Sequence, residues 1–438
     1  MTTLMDQQKT FIKDLPDISE LNERDYPTWF NELRRKSFSR FLELGIPTTK
    51  NEEWKYSNLA PLTQNTFQLN ANGSLVKNEL LTSYLDQKDL NIFFVNGIFS
   101  KELSNTGNFK SAGIAIDFLD ESLLNKNTSL QKILTHYDIQ TESSFVALNR
   151  ALAKNALFIQ IAPNTVYTKT LIHVVHVVTC DKLTTMPQTL IHVGKSSEAQ
   201  ILESYVSFDD RLTYFTNALT DIYLDENTNL YFCQAQKESQ KAFHINTTRT
   251  WQQQNSNFKA FTLTTATGFT RNGVECIVNG EGCDATLNAL YSCFGHQHVD
   301  NHTFVDHRLP NGTSNQLYKG ILNESARAVF NGKIFVQQIA QKTNSYQLNK
   351  NLLLGKNSRV DTKPQLEIKA DDVKCTHGAT IGQLDEGEIF YLQTRAIDRR
   401  EAIKMLSRGF ADEILATIPN EEIVKKLNLL LEPSFAIL

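Results

Sequence analysis

Apolar residues change their spacing twice along this chain. Between Tyr26 and Leu44 they recur three and four apart (Trp29, Phe30, Leu33, Phe38, Phe41, Leu42), which predicts an amphipathic helix. Gly45 followed by Pro47 supplies its stop. A short apolar run at 91–95, closed by Asn96-Gly97, predicts a strand and turn, and helical spacing returns from about 129 to 154. From about 156 to 382 the helical period is lost. Short β-branched and aromatic runs follow one another at 157–161, 171–178, 200–206, 218–224, 230–233, 261–265 and 326–329. Asn-Gly pairs at 272–273, 279–280, 311–312 and 331–332 predict turns between them. So long a run of strands without crossover helices excludes a doubly wound sheet and leaves a sandwich, a barrel or a β-helix. No strict repeat chooses among these.

The last strand-like segments are the most regular. Val360, Thr362, Pro364, Leu366, Ile368 and Ala370 alternate with Asp361, Lys363, Gln365, Glu367, Lys369 and Asp371, which predicts one dry face and one wet face. Pro364 has no N–H to give a ladder, so this strand belongs near an edge or bulge. Beyond 384 the period is helical again. Ile403, Leu406, Phe410, Ile414 and Ile418 form one stripe, Pro419 ends it, and Asn420 is placed to cap a second helix with Glu421 and Glu422 in its first turn. Ile423, Leu427, Leu430 and Leu431 form the second stripe. Both stripes suit packing on their own domain, with docking of a partner as the alternative. The expected organisation is a mostly helical domain at 1–155, a strand-rich core at 156–384 and a helical domain at 385–438.

Composition narrows the function classes. The chain has 438 residues, 41% hydrophobic and 21% charged, with a net charge of −4. Nothing here marks a nucleic-acid binder. No apolar run approaches the ~18 residues of a membrane helix, and the first twenty residues carry no secretory core. Six cysteines without a CxxC pair read as reduced thiols, and the expected location is cytoplasmic.

Candidate chemistry concentrates at Cys375 and His377. Two residues apart on a strand, they share a face at about 7 Å, suited to metal or sulfur chemistry or to closing an interface. Spacing alone also suits a buried thiol and a hydrogen-bonded imidazole. His296, His298 and His302 follow Cys293; His296 and His298 could share a strand face and bind zinc or iron, or join a polar ladder. His173 and His176, three apart, face opposite sides of their strand. Gly194-Lys195-Ser196 lacks the earlier glycine of a phosphate loop, because Thr189 stands there, so ATP binding at that point is excluded. No catalytic signature appears, and the chain is expected not to be an enzyme.

The run Asp372-Val373-Lys374-Cys375-Thr376-His377-Gly378-Ala379-Thr380, with Gln383-Leu384-Asp385, resembles the C-terminal signature of the SufB/SufD iron–sulfur cluster assembly proteins. Gln316–Leu322, Ala326–Lys333, Gln341-Lys342-Thr343, Asn349–Leu354, Asp361–Ile368 and His298–His302 are similar to blocks of the same family, so the likeness spans nearly the last 150 residues. Asn51-Glu52-Glu53-Trp54-Lys55-Tyr56-Ser57 looks like the SufD branch rather than SufB. The resemblance implies a mainly β chain, a right-handed parallel β-helix with flanking helical domains. It implies pairing with SufB through the β-helices and binding of the ATPase SufC through the C-terminal helices, with a homodimer possible for the isolated chain. It implies a transient iron–sulfur cluster on the complex, ATP only through the partner, and leaves flavin open. His377 falls on the family histidine at the SufB interface and Cys375 on its neighbouring cysteine, so both become cluster and interface candidates; Thr376 stands where serine is common. The alternatives are a SufB-like cluster-bearing subunit, a β-helix carbohydrate-active enzyme, and a metal enzyme built on the His296 group. Fold alone does not decide between them.

Overall fold

The structure is a computed structural model that describes residues 11–21, 26–69, 86, 88–105, 112–136, 138–265 and 267–436. Residues 1–10, which bear on the expected lack of a secretory core, lie outside the described residues. Two ten-stranded sheets, parallel except for one antiparallel strand at the N-terminal end of each, wind around one lumen as a β-helix of about eight coils. The first sheet runs β2 (Ile98–Phe99), β1 (Leu90–Val95), β5 (Val166–Val177), β8 (Glu198–Val206), β10 (Asn229–Lys237), β12 (Asn257–Thr265), β14 (Asp284–Cys293), β16 (Thr313–Leu322), β18 (Asn344–Leu353) and β20 (Lys374–Gly382). The second runs β3 (Ile114–Phe118), β4 (Leu157–Ile161), β7 (Gln188–Val193), β9 (Phe215–Leu224), β11 (Phe243–Gln252), β13 (Phe269–Val278), β15 (His298–His307), β17 (Arg327–Val336) and β19 (Arg359–Ile368), with β6 (Thr184–Thr185) beside β9. Successive coils stack in register, as in Asn257↔Asp284↔Thr313↔Asn344↔Lys374. The β-helix expectation therefore holds, and strands β1 and β3 from the helical-looking first third join the sheets.

Period-two alternation puts apolar residues on both faces of the first sheet. On β10, Leu230 and Phe232 point into the lumen, while Tyr231, Cys233 and Ala235 join a second cluster outside. Both faces are buried, so these strands read as nearly continuous apolar runs. The outer face is covered by helices α7 (Arg399–Leu415) and α8 (Glu421–Ala436), which follow α6 (Glu386–Thr394). Ile414, Leu427 and Leu431 pack there on Leu202, Phe261 and Leu263. The second sheet's outer face is covered from the N-terminal side by α1 (Thr28–Leu44), α2 (Ala60–Thr63), α3 (Glu121–Lys126), α4 (Thr128–His136) and α5 (Ser144–Leu152). Phe38, Phe41, Phe145 and Leu148 meet Phe215 and Ile245. A buried charge set fastens this contact: Arg150 reaches Glu142 at 3.1 Å and Asp221 at 3.3 Å, and Arg249 Nε bonds Asp221 at 2.6 Å. No sequence pattern marked these four residues, since Asp221 and Arg249 lie on strands far along the chain from Glu142 and Arg150.

The helix signals read from sequence match local geometry. Gly45 takes φ 65° and its N–H bonds Phe41 O at 2.8 Å. Asn420 Oδ1 accepts the N–H groups of Glu422 and Ile423, at 2.8 and 3.2 Å. The stripe on α7 is rotated from the expected one: Ala402, Ser407, Ala411, Ile414 and Leu415 are buried, while Ile403, Leu406 and Phe410 are half-exposed. Small residues let the helix approach the sheet closely, so shape outranks hydrophobicity here.

Two of the four Asn-Gly pairs are not turns. Asn272-Gly273 and Asn331-Gly332 lie mid-strand in β13 and β17. Asn246, Asn272 and Asn301 stack in register inside the lumen, with Asn272 Nδ2 donating to Asn301 Oδ1 at 3.3 Å and Gln236 Nε2 to Asn272 Oδ1 at 2.7 Å. Gly332 is set by crowding, because a Cβ there would sit 2.1 Å from Gln347 Nε2.

The two ends of the coil differ. At the N-terminal end each sheet finishes in a short antiparallel strand, β2 on β1 and β3 on β4. Asn96 (φ 54°) and Gly97 (φ 81°) make the β1–β2 turn in the left-handed pair a tight hairpin requires. At the C-terminal end β20 pairs only with β18 and β19 only with β17, so both last strands are open edges among the described residues.

Candidate functional site at the open end of the coil

Pro364 lies on β19, the terminal strand of its sheet, as its missing donor requires. The alternation around it is weaker in space than in sequence. β19 is half-exposed along most of its length, because no further coil covers it. Val360 still reaches the lumen core and Leu366 a small cluster with Ile334, Val336 and Ala370.

Cys375 and His377 lie on β20, the other terminal strand. Cys375 pairs in register with Ser345, and His377 with Gln347. Their surroundings separate them. Cys375 is half-buried against the cluster of Ile334, Val336 and Ala340, whereas His377 is exposed. Burial pushes the Cys375 thiol up from its ordinary range, against the pull of hydrogen bonding with Ser345. The same stack continues inward: Ser345 Oγ lies 2.8 Å from Ser314 Oγ, and His307 Nε2 lies 3.1 and 3.0 Å from the two hydroxyls. Burial pushes His307 down to about 4, so it is a neutral imidazole inside the coil. The arrangement offers one thiol and one imidazole on an unpaired edge, two soft ligands for a metal that needs others from outside. Among the described residues no group of three or more His, Cys, Asp or Glu could hold a metal by itself. The other five cysteines form no disulfide among the described residues, and four of them are buried.

The histidines after Cys293 do not gather as one ligand set. His296 sits on the turn before β15, off the strand face expected for it, while His298 and His302 lie on β15. These two serve a strap. The segment around Asn51–Ser57 lies across β13, β15, β17 and β19 through Glu52–Lys363 (2.6 Å), Glu53–His302 (3.3 Å), Arg271 over the Trp54 ring (3.9 Å) and Ser57 Oγ donating to Asp300 Oδ2 (2.6 Å). His298 Nε2 is 2.9 Å from the same hydroxyl. Since the hydroxyl hydrogen goes to Asp300, the imidazole must donate, the reverse of a base activating a nucleophile. Asp300 also pairs with His302 Nε2 at 2.8 Å and with Arg271 at 2.5 Å, and these charges hold its carboxyl well below the usual range despite burial. His173 and His176 do face opposite sides: His173 bonds Ser204 at 2.9 Å, and His176 stacks between Phe94 and Tyr205 in the lumen.

A second exposed feature is the tail. Phe390 and Tyr391 on α6 are 67% and 58% exposed, and Met405 on α7 is 45% exposed. No stripe announced α6, since its apolar residues point to several sides at once.

A parallel β-helix with helices on both outer faces, one end closed by antiparallel strands and one open end carrying a thiol and an imidazole defines a coil whose last strands keep a free edge among the described residues. Its sequence matches the SUF system FeS cluster assembly, SufBD core domain, over residues 176–410, and the SufBD protein N-terminal region over residues 5–173. The chain belongs to the SufBD family. It is 34% identical over 389 residues to an iron–sulfur cluster assembly SufBD family protein of Synechocystis, covering 86% of this chain and 84% of that one. It is 29% identical over 390 residues to the iron–sulfur cluster assembly protein SufD of Escherichia coli, covering 88% and 89%. Protein ABCI7, chloroplastic, of Arabidopsis thaliana is 35% identical over 240 residues, 54% and 50% of the two chains. No helix among the described residues is long and apolar enough to cross a membrane.

Proposed function

We propose that this chain is a SufD-type scaffold subunit for iron–sulfur cluster assembly in the cytoplasm, without catalytic activity of its own. The observation that carries the reading is the pair Cys375 and His377 on β20, a terminal strand with a free edge. A SufB-type chain would continue the coil across β19 and β20, joining main-chain hydrogen bonds to the apolar side chains of Tyr346, Ile368 and Ile381, each 40% or more exposed. The nascent cluster is the cargo at that seam. His377, exposed and next to the seam, is the better placed ligand; Cys375 is held in its own protein by burial and by Ser345. The ATPase partner would dock on the C-terminal helices, where Phe390 and Tyr391 stand out from α6.

The test is co-expression with a SufB-type and an ATPase subunit from the same organism, followed by purification on a tag carried by this chain. The expected outcome is a complex containing all three and acid-labile sulfide with iron. A chain that purifies alone from such cells, with neither partner, refutes the reading.

A further inference from the structure

On the flank of the coil, away from the open end, the last turns of α8 bridge a notch and enclose a cavity of about 740 Å³. The notch has a backbone cause. The connection from β12 to β13 is three residues long, shorter than the β8–β9 and β10–β11 connections beside it. Gly268 makes that short turn possible, because a Cβ there would lie 2.5 Å from Gln240 O. The helix is pinned over the notch by Thr265 Oγ1 and Ser434 Oγ at 2.6 Å, both buried. The volume falls in the range of small-molecule sites, roughly 300–1,000 Å³.

The lining has a definite chemistry. Phe208, Phe294, Leu430 and Pro433 supply apolar walls. Lys237 and Lys241 reach the cavity from the end of β10 and the turn after it, and among the described residues neither amine has a carboxylate partner. The two acids on the rim stand on other turns. Asp210 is on the β8–β9 turn, and Glu324, on the β16–β17 turn, is held by the N–H of Gly295 at 2.6 Å. Two unpaired ammonium groups beside aromatic and aliphatic walls complement an anion with an apolar body.

We propose that this cavity binds an amphiphilic acid: a carboxylate, sulfonate or phosphate head at Lys237 and Lys241, and an aromatic or acyl body between Phe294 and Pro433. The site is independent of the open edge, so the scaffold reading and this one stand or fall separately.

The probe is 8-anilinonaphthalene-1-sulfonate, titrated by calorimetry into the full-length chain at physiological salt, with uncharged N-phenyl-1-naphthylamine as comparison. One saturable site is expected, weakened about ten-fold in Lys237→Glu/Lys241→Glu and about three-fold in Lys241→Glu alone, where the side chain is exposed and folding is not at stake. The uncharged compound should bind all three proteins alike. A co-crystal should place the sulfonate at the two lysines. Absence of a saturable site, unchanged affinity in the variants, or density for the probe elsewhere overturns the proposal. If the site disappears on forming the complex with the partner subunits while both lysine variants bind the probe like the parent, the cavity is a covered protein face, and the proposal is likewise overturned.

Discussion

Lys319 on β16 is completely enclosed along its side chain, yet its ammonium emerges 2.7 Å from the carboxylate of Glu413 and 2.7 Å from the main-chain oxygen of Phe410, both on α7. One residue thus ties the coil to its C-terminal cover. The ammonium also lies 4.0 Å from the centre of the Phe410 ring. Lys319→Met keeps the stem but removes the bonds. It should cost about 1–3 kcal/mol in urea unfolding, with faster amide exchange confined to α7 and α8. Unchanged exchange in α7 would show that the tail is held without the Lys319 bonds.

His307 gives a pH dependence with a definite sign. Its folded value is about 4, below the ordinary histidine range, because burial disfavours the charged form. Its contribution is intact above about pH 6.5 and is lost as pH falls toward 4, by up to about 3 kcal/mol. His307→Gln should flatten the fall in urea midpoint between pH 6.5 and 4.5. A variant as acid-sensitive as the parent would remove His307 from the account.

His302 works the other way. Burial opposes its charge, but the Asp300 carboxylate, with Glu53 also in reach, outweighs it and raises the value. The stabilisation is full below about pH 6.5 and is lost as pH rises through the raised value. The groups facing it are Asp300 on its own strand, Arg271 on β13 and Glu53 on the strap. Limited proteolysis within residues 51–57 should therefore speed up between pH 6 and pH 8.5, and His302→Gln should be equally sensitive at both.

His377→Ala tests the seam. The side chain is exposed, so folding should change by no more than about 0.5 kcal/mol. Iron and sulfide recovered in the three-subunit complex should fall while subunit stoichiometry holds. Normal iron content in an intact complex would exclude His377 as a ligand.

The tail calls for point changes rather than truncation. Removing residues 385–438 would strip Ile414, Leu427 and Leu431 from Val175, Leu202 and Leu263 and lay bare an apolar sheet face. Phe390→Ser/Tyr391→Ser alters only exposed side chains. It should abolish capture of the ATPase subunit with a melting temperature within a few degrees of the parent. Undiminished capture would place that contact elsewhere.

Periodicity exposed the strands but not their winding, which the family resemblance supplied. The run at 157–161 matches β4 residue for residue, and Pro364 marked the edge it occupies. Local pattern could not distinguish a coil from a sandwich, because stacking registers such as Asn257↔Asp284 join residues whose neighbours share no repeat. The mid-strand Asn-Gly pairs misled for physical reasons: Asn272 is satisfied in the lumen by the asparagine above it, Asn331 reaches Glu53 on the strap, and Gly332 has no room for a Cβ. At the site, Cys375 and His377 were visible by spacing, while their different exposure was not, since it depends on the coil ending just beyond them. The Ser57–Asp300 contact joins residues 243 positions apart and left no trace in either segment alone.

The unequal ends of the coil act as a chain stopper. A coil with two free edges could add copies of itself indefinitely and grow into a fibre. Here β2 and β3 run against the grain at one end, so a further coil there could not continue the parallel stack as it can at β19 and β20. On the reading proposed above, a neighbour that continues the coil adds at β19 and β20, and the stack of coils would end with it. Polarity of growth is in this sense a property of the backbone, set by strand direction before any side chain at the seam comes into play.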